Sequence, residues 1–171
     1  VTTPNMNIKV EQNRLSGVPI DLTKIYNQGD MVKWDSTNKV AIPIDNAGAD
    51  AASFAASAAF IGVAHDTQPI TSLGQNLPTP RMNVINLGLV EFTIDDNATY
   101  YAGDYVTIGG DAQKVKKTGA SAQNSIGVVA AENFFGVTSG AQVGKVAVQG
   151  TTKLLIWLKP QFQQLGSQPM S

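Results

Sequence analysis

The sequence predicts a mainly β protein, a compact β-barrel-like or β-sandwich domain built around two similar hairpin units. Three observations predict it. A short unit occurs twice: Gly29-Asp30-Met31-Val32 leads on to Phe60-Ile61-Gly62-Val63-Ala64, and Gly103-Asp104-Tyr105-Val106 leads on to Ser125-Ile126-Gly127-Val128-Val129. Apolar residues elsewhere gather in short β-branched runs bounded by Gly, Asp, Asn and Ser, the pattern of strands and turns. Heptads and sustained helical periodicity do not occur.

Residues 1–24 are polar, broken by Pro4, Gly17 and Pro19, with isolated apolar residues at Ile8, Val10, Leu15 and Val18. A stretch this poor in apolar residues predicts an extended N-terminal arm, loose or laid along another surface and removable without unfolding the domain. The domain itself is expected over residues 25–159. Each Gly-Asp opens a strand, since Gly accepts positive φ and Asp bonds its own backbone. Met31–Trp34 and Lys39–Ile42 flank the turn-rich Asp35-Ser36-Thr37-Asn38 as a hairpin, and Tyr105–Ile108 and Gln113–Lys116 flank Gly109-Gly110-Asp111-Ala112 as a second. The Ala-rich stretch at 47–59 reads equally as a loop or a short helix.

Arg81–Ile94 is the longest β-like segment. Ile85, Leu87 and Leu89 share one parity and Val90, Phe92 and Ile94 the other, so a bulge or bend is expected near Gly88. Lys145–Val148 reads as another strand. Leu154–Leu158 is apolar at every position between Lys153 and Lys159, the signature of a strand covered on both faces. Residues 160–171 are rich in Gln and Pro and read as a C-terminal tail.

Composition narrows the function classes. Charged residues are 15% of the chain against roughly 25% in ordinary soluble domains. A surface so poor in charge is best explained if other chains cover much of it. Twelve Lys and Arg stand against 13 Asp and Glu, so no basic excess exists to neutralise phosphates, and no direct nucleic-acid contact is expected. Cysteine is absent, which removes disulfides, thiolate metal sites and a Cys nucleophile. No apolar run approaches the ~18 residues of a membrane span, so no membrane partner is expected. Val1-Thr2-Thr3-Pro4 lacks the basic and apolar blocks of a signal peptide, and synthesis in a cytoplasm is the expectation.

Chemistry-bearing residues do not converge. His65 is the sole histidine, and its neighbour Asp66 would point to the opposite face of a strand. Asp95-Asp96 lacks the spaced ligands of a calcium loop and reads as a turn. Gly109-Gly110-Asp111 lacks the ending of a phosphate loop. Lys114, Lys116 and Lys117 fit a solvated strand edge. No catalytic residue, cofactor or metal is therefore assigned, and the chain is not expected to be an enzyme.

Candidate functional residues are instead candidates for interfaces. Trp34, Phe60, Phe92 and Trp157 lie in strand patterns and suit a core. The adjacent pairs Tyr100-Tyr101 and Phe134-Phe135 must each turn one ring away from a core if they lie on strands. With Ile8, Val10, Leu15 and Val18 of the arm, Trp157 of the all-apolar strand and Phe162 of the tail, they make up the predicted contact set.

The doubled pattern also carries a resemblance. Gly29–Asp35, Phe60–Ala64, Gly88-Leu89-Val90, Ala102–Val106, Ile126–Val129 and Val146-Ala147-Val148, in that order, resemble the capsid cement or head decoration proteins of tailed bacteriophages, from about Tyr26 to Leu158. The resemblance implies a small β-barrel-like domain, present as homotrimers on the outer surface of the expanded capsid of a virion. There it would bridge subunits of the major capsid protein, with an N-terminal arm reaching a neighbouring capsomer. The Ala-rich stretch and the Gln-rich tail depart from that plan. A receptor- or glycan-binding β module of a phage tail or cell surface is the alternative, with Tyr100 and Tyr101 as its sugar platform.

Overall fold

The two Gly-Asp turns are the seeds of the architecture. In a computed structural model, which describes residues 7–45, 59–65, 81–111, 113–118, 125–136 and 144–159, Gly29 and Gly103 hold φ of 88° and 87°. The Asp30 carboxylate accepts the Asn27 amide at 2.8 Å, and the Asp104 carboxylate accepts the Tyr101 amide at 2.9 Å. Each turn then delivers the chain into a strand.

The strands are β1 (Asn7–Pro19), β2 (Met31–Asp35), β3 (Val40–Pro43), β4 (Phe60–Ala64), β5 (Arg81–Thr93), β6 (Thr99–Tyr100), β7 (Tyr105–Ile108), β8 (Val115–Lys117), β9 (Gly127–Val129), β10 (Lys145–Val146) and β11 (Lys153–Leu158). One antiparallel sheet runs in the order β3-β2-β4-β5-β11-β9-β7-β8, and β6 pairs with β10 apart from it. On β5, Leu89 and Val90 pair with β11 on one edge and with β1 on the other.

The sheet curls into a barrel-like form, and two parallel bridges draw it in: Ile20 to Ala41 of β3, and Ile94 to Val115 of β8. These bridges expose a duplication deeper than the turns. The offset that carries Gly29 to Gly103 also carries Ile20 to Ile94, Asp21 to Asp95, Tyr26 to Tyr100 and Ala41 to Val115. It even carries Lys39 to Gln113, the two non-glycine residues with positive φ among the described residues, at 58° and 62°. Gly29 donates to Ala64 O and Gly103 to Val129 O, at 2.7 and 2.9 Å. Unit one is thus β1–β2–β3–β4 closed by β5, and unit two is β5–β7–β8–β9 closed by β11. The long β5 serves both.

Each unit has its own core. Unit one buries Val18, Ile20, Tyr26, Val32, Ala41, Ile61, Ala64, Met82 and Val84. Their counterparts Phe92, Ile94, Tyr100, Val106, Val115, Ile126, Val129, Leu154 and Ile156 are buried in the second cluster. Burial of one such aliphatic side chain is worth about 1.5–3 kcal/mol, so each ring of strands is held chiefly by its own centre.

Several expectations need correction. Residues 7–19 are extended, but they are no free arm: β1 pairs along β5 of its own chain, Val18 and Ile20 lie in the core, and the chain turns at Asp21–Lys24. The apolar positions are few because β1 is exposed along most of its length. The parity break in β5 falls beside Gly88: Leu87 pairs with Asn13 and Ile85 with Arg14, leaving Asn86 as the extra residue. Asn86 is fully buried, and among the described residues its side-chain amide has no hydrogen-bond partner. Lys145–Val148 shortens to β10. Phe134-Phe135 lies on no strand, because Ala131–Phe134 forms a 3-10 turn. The stretch at 47–58, Asp66, and the tail with Phe162 lie outside the described residues.

Candidate functional site

Antiparallel sheets with one solvated face usually alternate apolar-in, polar-out. Unit two breaks that rule. On its outer side, Val10 of β1 pairs with Leu89 of β5, Leu89 with Trp157 of β11, Trp157 with Val128 of β9, and Val128 with Tyr105 of β7. The result is an apolar belt five strands wide. Cross-strand partners stand on the same face, about 4.5–5.5 Å apart at Cβ, so these side chains form one row, in which Leu89 is buried at 6% exposure and its neighbours reach solvent.

The register puts them there for a local reason. The core-facing residues of β11 are Leu154, Ile156 and Leu158, all buried, so Leu155 and Trp157 must face outward, and both are half-buried. At the ends of the belt Val10 is 43% and Tyr105 40% exposed. Leu87, next along the outer face of β5, is also exposed. Thus β11 is apolar throughout because both of its faces meet apolar surroundings, the inner one in the core and the outer one in the belt.

The 3-10 turn frames one side. Asn133 clamps β11 through two bonds of 2.8 Å, its Nδ2 donating to Leu155 O and its Oδ1 accepting from Leu155 N, and the same Nδ2 donates to Ala130 O at 2.8 Å. Trp157 Nε1 donates to Glu132 Oε2 at 3.3 Å, which fixes the indole across the belt. Phe134 packs against the core and Phe135 stands 74% exposed beyond it. Lys153 and Lys159 bound the belt along β11, both exposed.

The predicted contact residues therefore divide. Val10, Trp157 and Phe135 lie on or beside this outer surface. Ile8, Leu15 and Phe134 are partly buried against the cores, and Val18 is inside one. Tyr100 is also internal: it is fully buried, its hydroxyl donates to Asp96 Oδ1 at 2.7 Å, and burial followed by that carboxylate pushes its phenol far above the ordinary range. Tyr101 is half-buried beneath Lys117, whose Nζ sits 5.6 Å from the ring centre. Sequence reasoning missed Leu89, Val128 and Tyr105, whose outward direction follows only from the pairing register.

The polar residues weighed for chemistry bond within the fold. Asp95 accepts the Asp111 amide and Asp96 the Lys117 amide, each at 2.9 Å, so both carboxylates pin the β7–β8 hairpin. Lys117 pairs with Asp104 at 2.7 Å, and Lys114 pairs with Asp111. His65 Nε2 lies 3.0 Å from Arg14 Nη2, and Arg14 in turn bonds Glu11, holding that carboxyl below its usual range. Among the described residues no group of three or more His, Asp or Glu is arranged to hold a metal ion. No family model matches the chain, and no curated protein matches it.

Proposed function

We propose that this chain is a structural protein of a tailed-phage virion, binding the outer surface of the expanded capsid and stabilising it by bridging subunits of the major capsid protein. Its partners in this reading are the major capsid protein and further copies of itself, as homotrimers, with no direct contact to nucleic acid or membrane. The observation that carries the reading is the apolar belt Val10–Leu89–Trp157–Val128–Tyr105, an outer sheet face made to be covered. The doubled Gly-Asp-x-Val and Ile-Gly-Val pattern supplies the phage resemblance, and the low charge suits a protein that spends its working life packed among others. A cement protein also gains from repetition: many modest contacts on a symmetric lattice sum to firm attachment.

The sugar-platform alternative loses its main support, since Tyr100 is buried and no aromatic pair is displayed at that position. The test is quantitative peptide counting on purified virions. A copy number comparable to that of the major capsid subunit is expected. A few copies per particle would move the protein to the tail, and none would overturn the reading.

A further inference from the structure

The outer face that unit two leaves open is, in unit one, already covered by the chain itself. Met31, Val63 and Ile85 occupy in unit one the positions that Tyr105, Val128 and Trp157 occupy in unit two. All three are fully buried and belong to the cluster formed around the core of unit two. One side chain latches this contact. Gln113, buried in the β7–β8 turn, donates from Nε2 to Met31 O at 3.1 Å and to Ile44 O at 2.9 Å, while its Oε1 accepts the Met31 amide.

Both halves of the contact have counterparts elsewhere. The receiving backbone recurs at Tyr105 and Thr118: Thr118 N donates to Tyr105 O at 3.1 Å, as Ile44 N donates to Met31 O at 3.0 Å. The latch position recurs at Lys39, in the β2–β3 turn of unit one, with the same left-handed backbone and an exposed side chain. The molecule therefore uses one face-and-turn pair internally and presents a second face on unit two and a second turn on unit one.

We infer that the open face of unit two receives the β2–β3 turn of a second copy of this chain, so that copies join head to tail through the contact that already joins the two units within each copy. The second copy follows from the likeness of this face and turn to the pair joined within the chain, and does not depend on the capsid reading. The Lys39 ammonium can donate to the carbonyls of Tyr105 and Thr118 but, unlike Gln113, cannot accept an amide. The contact between copies is accordingly weaker than the one within a copy, as a separable assembly requires. Because the two surfaces differ, the contact is heterologous, and its repetition closes a ring or runs open.

The chain has no cysteine, so engineered thiols report cleanly. Thr37→Cys, in the same turn and with Lys39 kept, and Thr118→Cys variants of the full chain, purified without capsids, are mixed and treated with a short bismaleimide. Cross-linked dimers are expected in the mixture and in neither variant alone, with light scattering giving a mass above the monomer. Adding Trp157→Arg to the Thr118→Cys variant should cut the cross-link yield about tenfold or more, as for a central aromatic anchor, while its circular dichroism and urea midpoint report whether the fold is kept. Three results would each overturn the inference: monomeric mass with no cross-link, cross-linking of either single variant with itself, or an undiminished yield with a folded Trp157→Arg partner. Since no capsid is present, failure here leaves the virion count to decide the capsid reading separately.

Discussion

Unit one and unit two are the same five-strand plan met twice, and they differ chiefly in what lies on their outer faces. Met31, Val63 and Ile85 are dry, whereas Tyr105, Val128 and Trp157 keep contact with water. The residue types follow: aliphatic and Met where packing is permanent, Tyr and Trp where an apolar body needs a polar tip. The same difference appears at the latch, where a buried Gln answers an exposed Lys. A duplicated fold thus carries an internal control, because each substitution in one unit can be read against its counterpart in the other.

The largest effect should come from removing β1, which completes unit one and also lends Val10 to the belt on unit two. Truncation through Leu22 deletes Val18 and Ile20 from the core and leaves the long edge of β5 unpaired. Two such residues are worth roughly 3–6 kcal/mol of burial, against a total stability of roughly 5–15 kcal/mol for a domain. The truncated chain is expected to lose cooperative unfolding, measured by urea titration with circular dichroism. A sharp transition would return β1 to the status of a dispensable arm.

Next come the paired glycines of the Ile-Gly-Val runs. A Cβ on Gly62 would lie 2.2 Å from Ile85 O, and one on Gly127 2.4 Å from Trp157 O, so both strands approach their neighbours too closely for a side chain. Gly62 also holds φ of 147°, which adds backbone strain that Gly127 does not face. Gly62→Ala should cost about 3–5 kcal/mol and Gly127→Ala about 2–3 kcal/mol by urea unfolding. Equal losses would remove the backbone component from the comparison.

Much of this plan was legible in the sequence, because turns are written in residues with special backbone freedom. Gly29-Asp30, Gly103-Asp104, both hairpins and the break in β5 all followed from that chemistry. β1 did not: Asn13, Arg14 and Ser16 look like a polar arm because the strand is exposed along most of its length. The full duplication was also hidden, since the counterparts Arg14 and Gly88, or Gly17 and Glu91, share nothing but backbone role. For the belt, an all-apolar strand cannot reveal which parity faces inward. Trp157 fits both the core and the contact set for that reason, and only its pairing with Leu89 and Val128 decides.

The latch gives a smaller contrast. Gln113→Ala removes three buried hydrogen bonds to Met31 and Ile44 and leaves the Met31 amide without its acceptor, a loss of about 2–3 kcal/mol. Lys39→Ala, at the exposed counterpart, should stay within about 0.5 kcal/mol. Amide hydrogen exchange at Met31 should accelerate in the first variant only. Acceleration in both would mean that the two turns are coupled inside one molecule.

The smallest effect is a slope rather than an offset, and it lies in the two aspartates of the Gly-Asp turns. Both accept the amide three residues back, but Asp104 also holds Lys117 at 2.7 Å, whereas Asp30 is 5% exposed and burial raises its carboxyl above the usual value, with Asp45 pushing the same way. A raised folded-state value means that the folded chain holds this proton more tightly than the unfolded chain does. Its stabilising contribution is therefore present below the ordinary carboxylate value of 3.8 and is lost as pH rises through the raised one. Asp30→Asn keeps an oxygen for the Asn27 amide and carries no charge. The variant should match the parent in acid and gain on it as pH rises toward neutrality, read from urea midpoints across that window. Asp104→Asn instead gives up a half-exposed ion pair and should lose about 0.5–1 kcal/mol at neutral pH. The two substitutions change the same atom in the same turn, so opposite signs would show that surroundings, not the Gly-Asp motif, set what each carboxylate contributes.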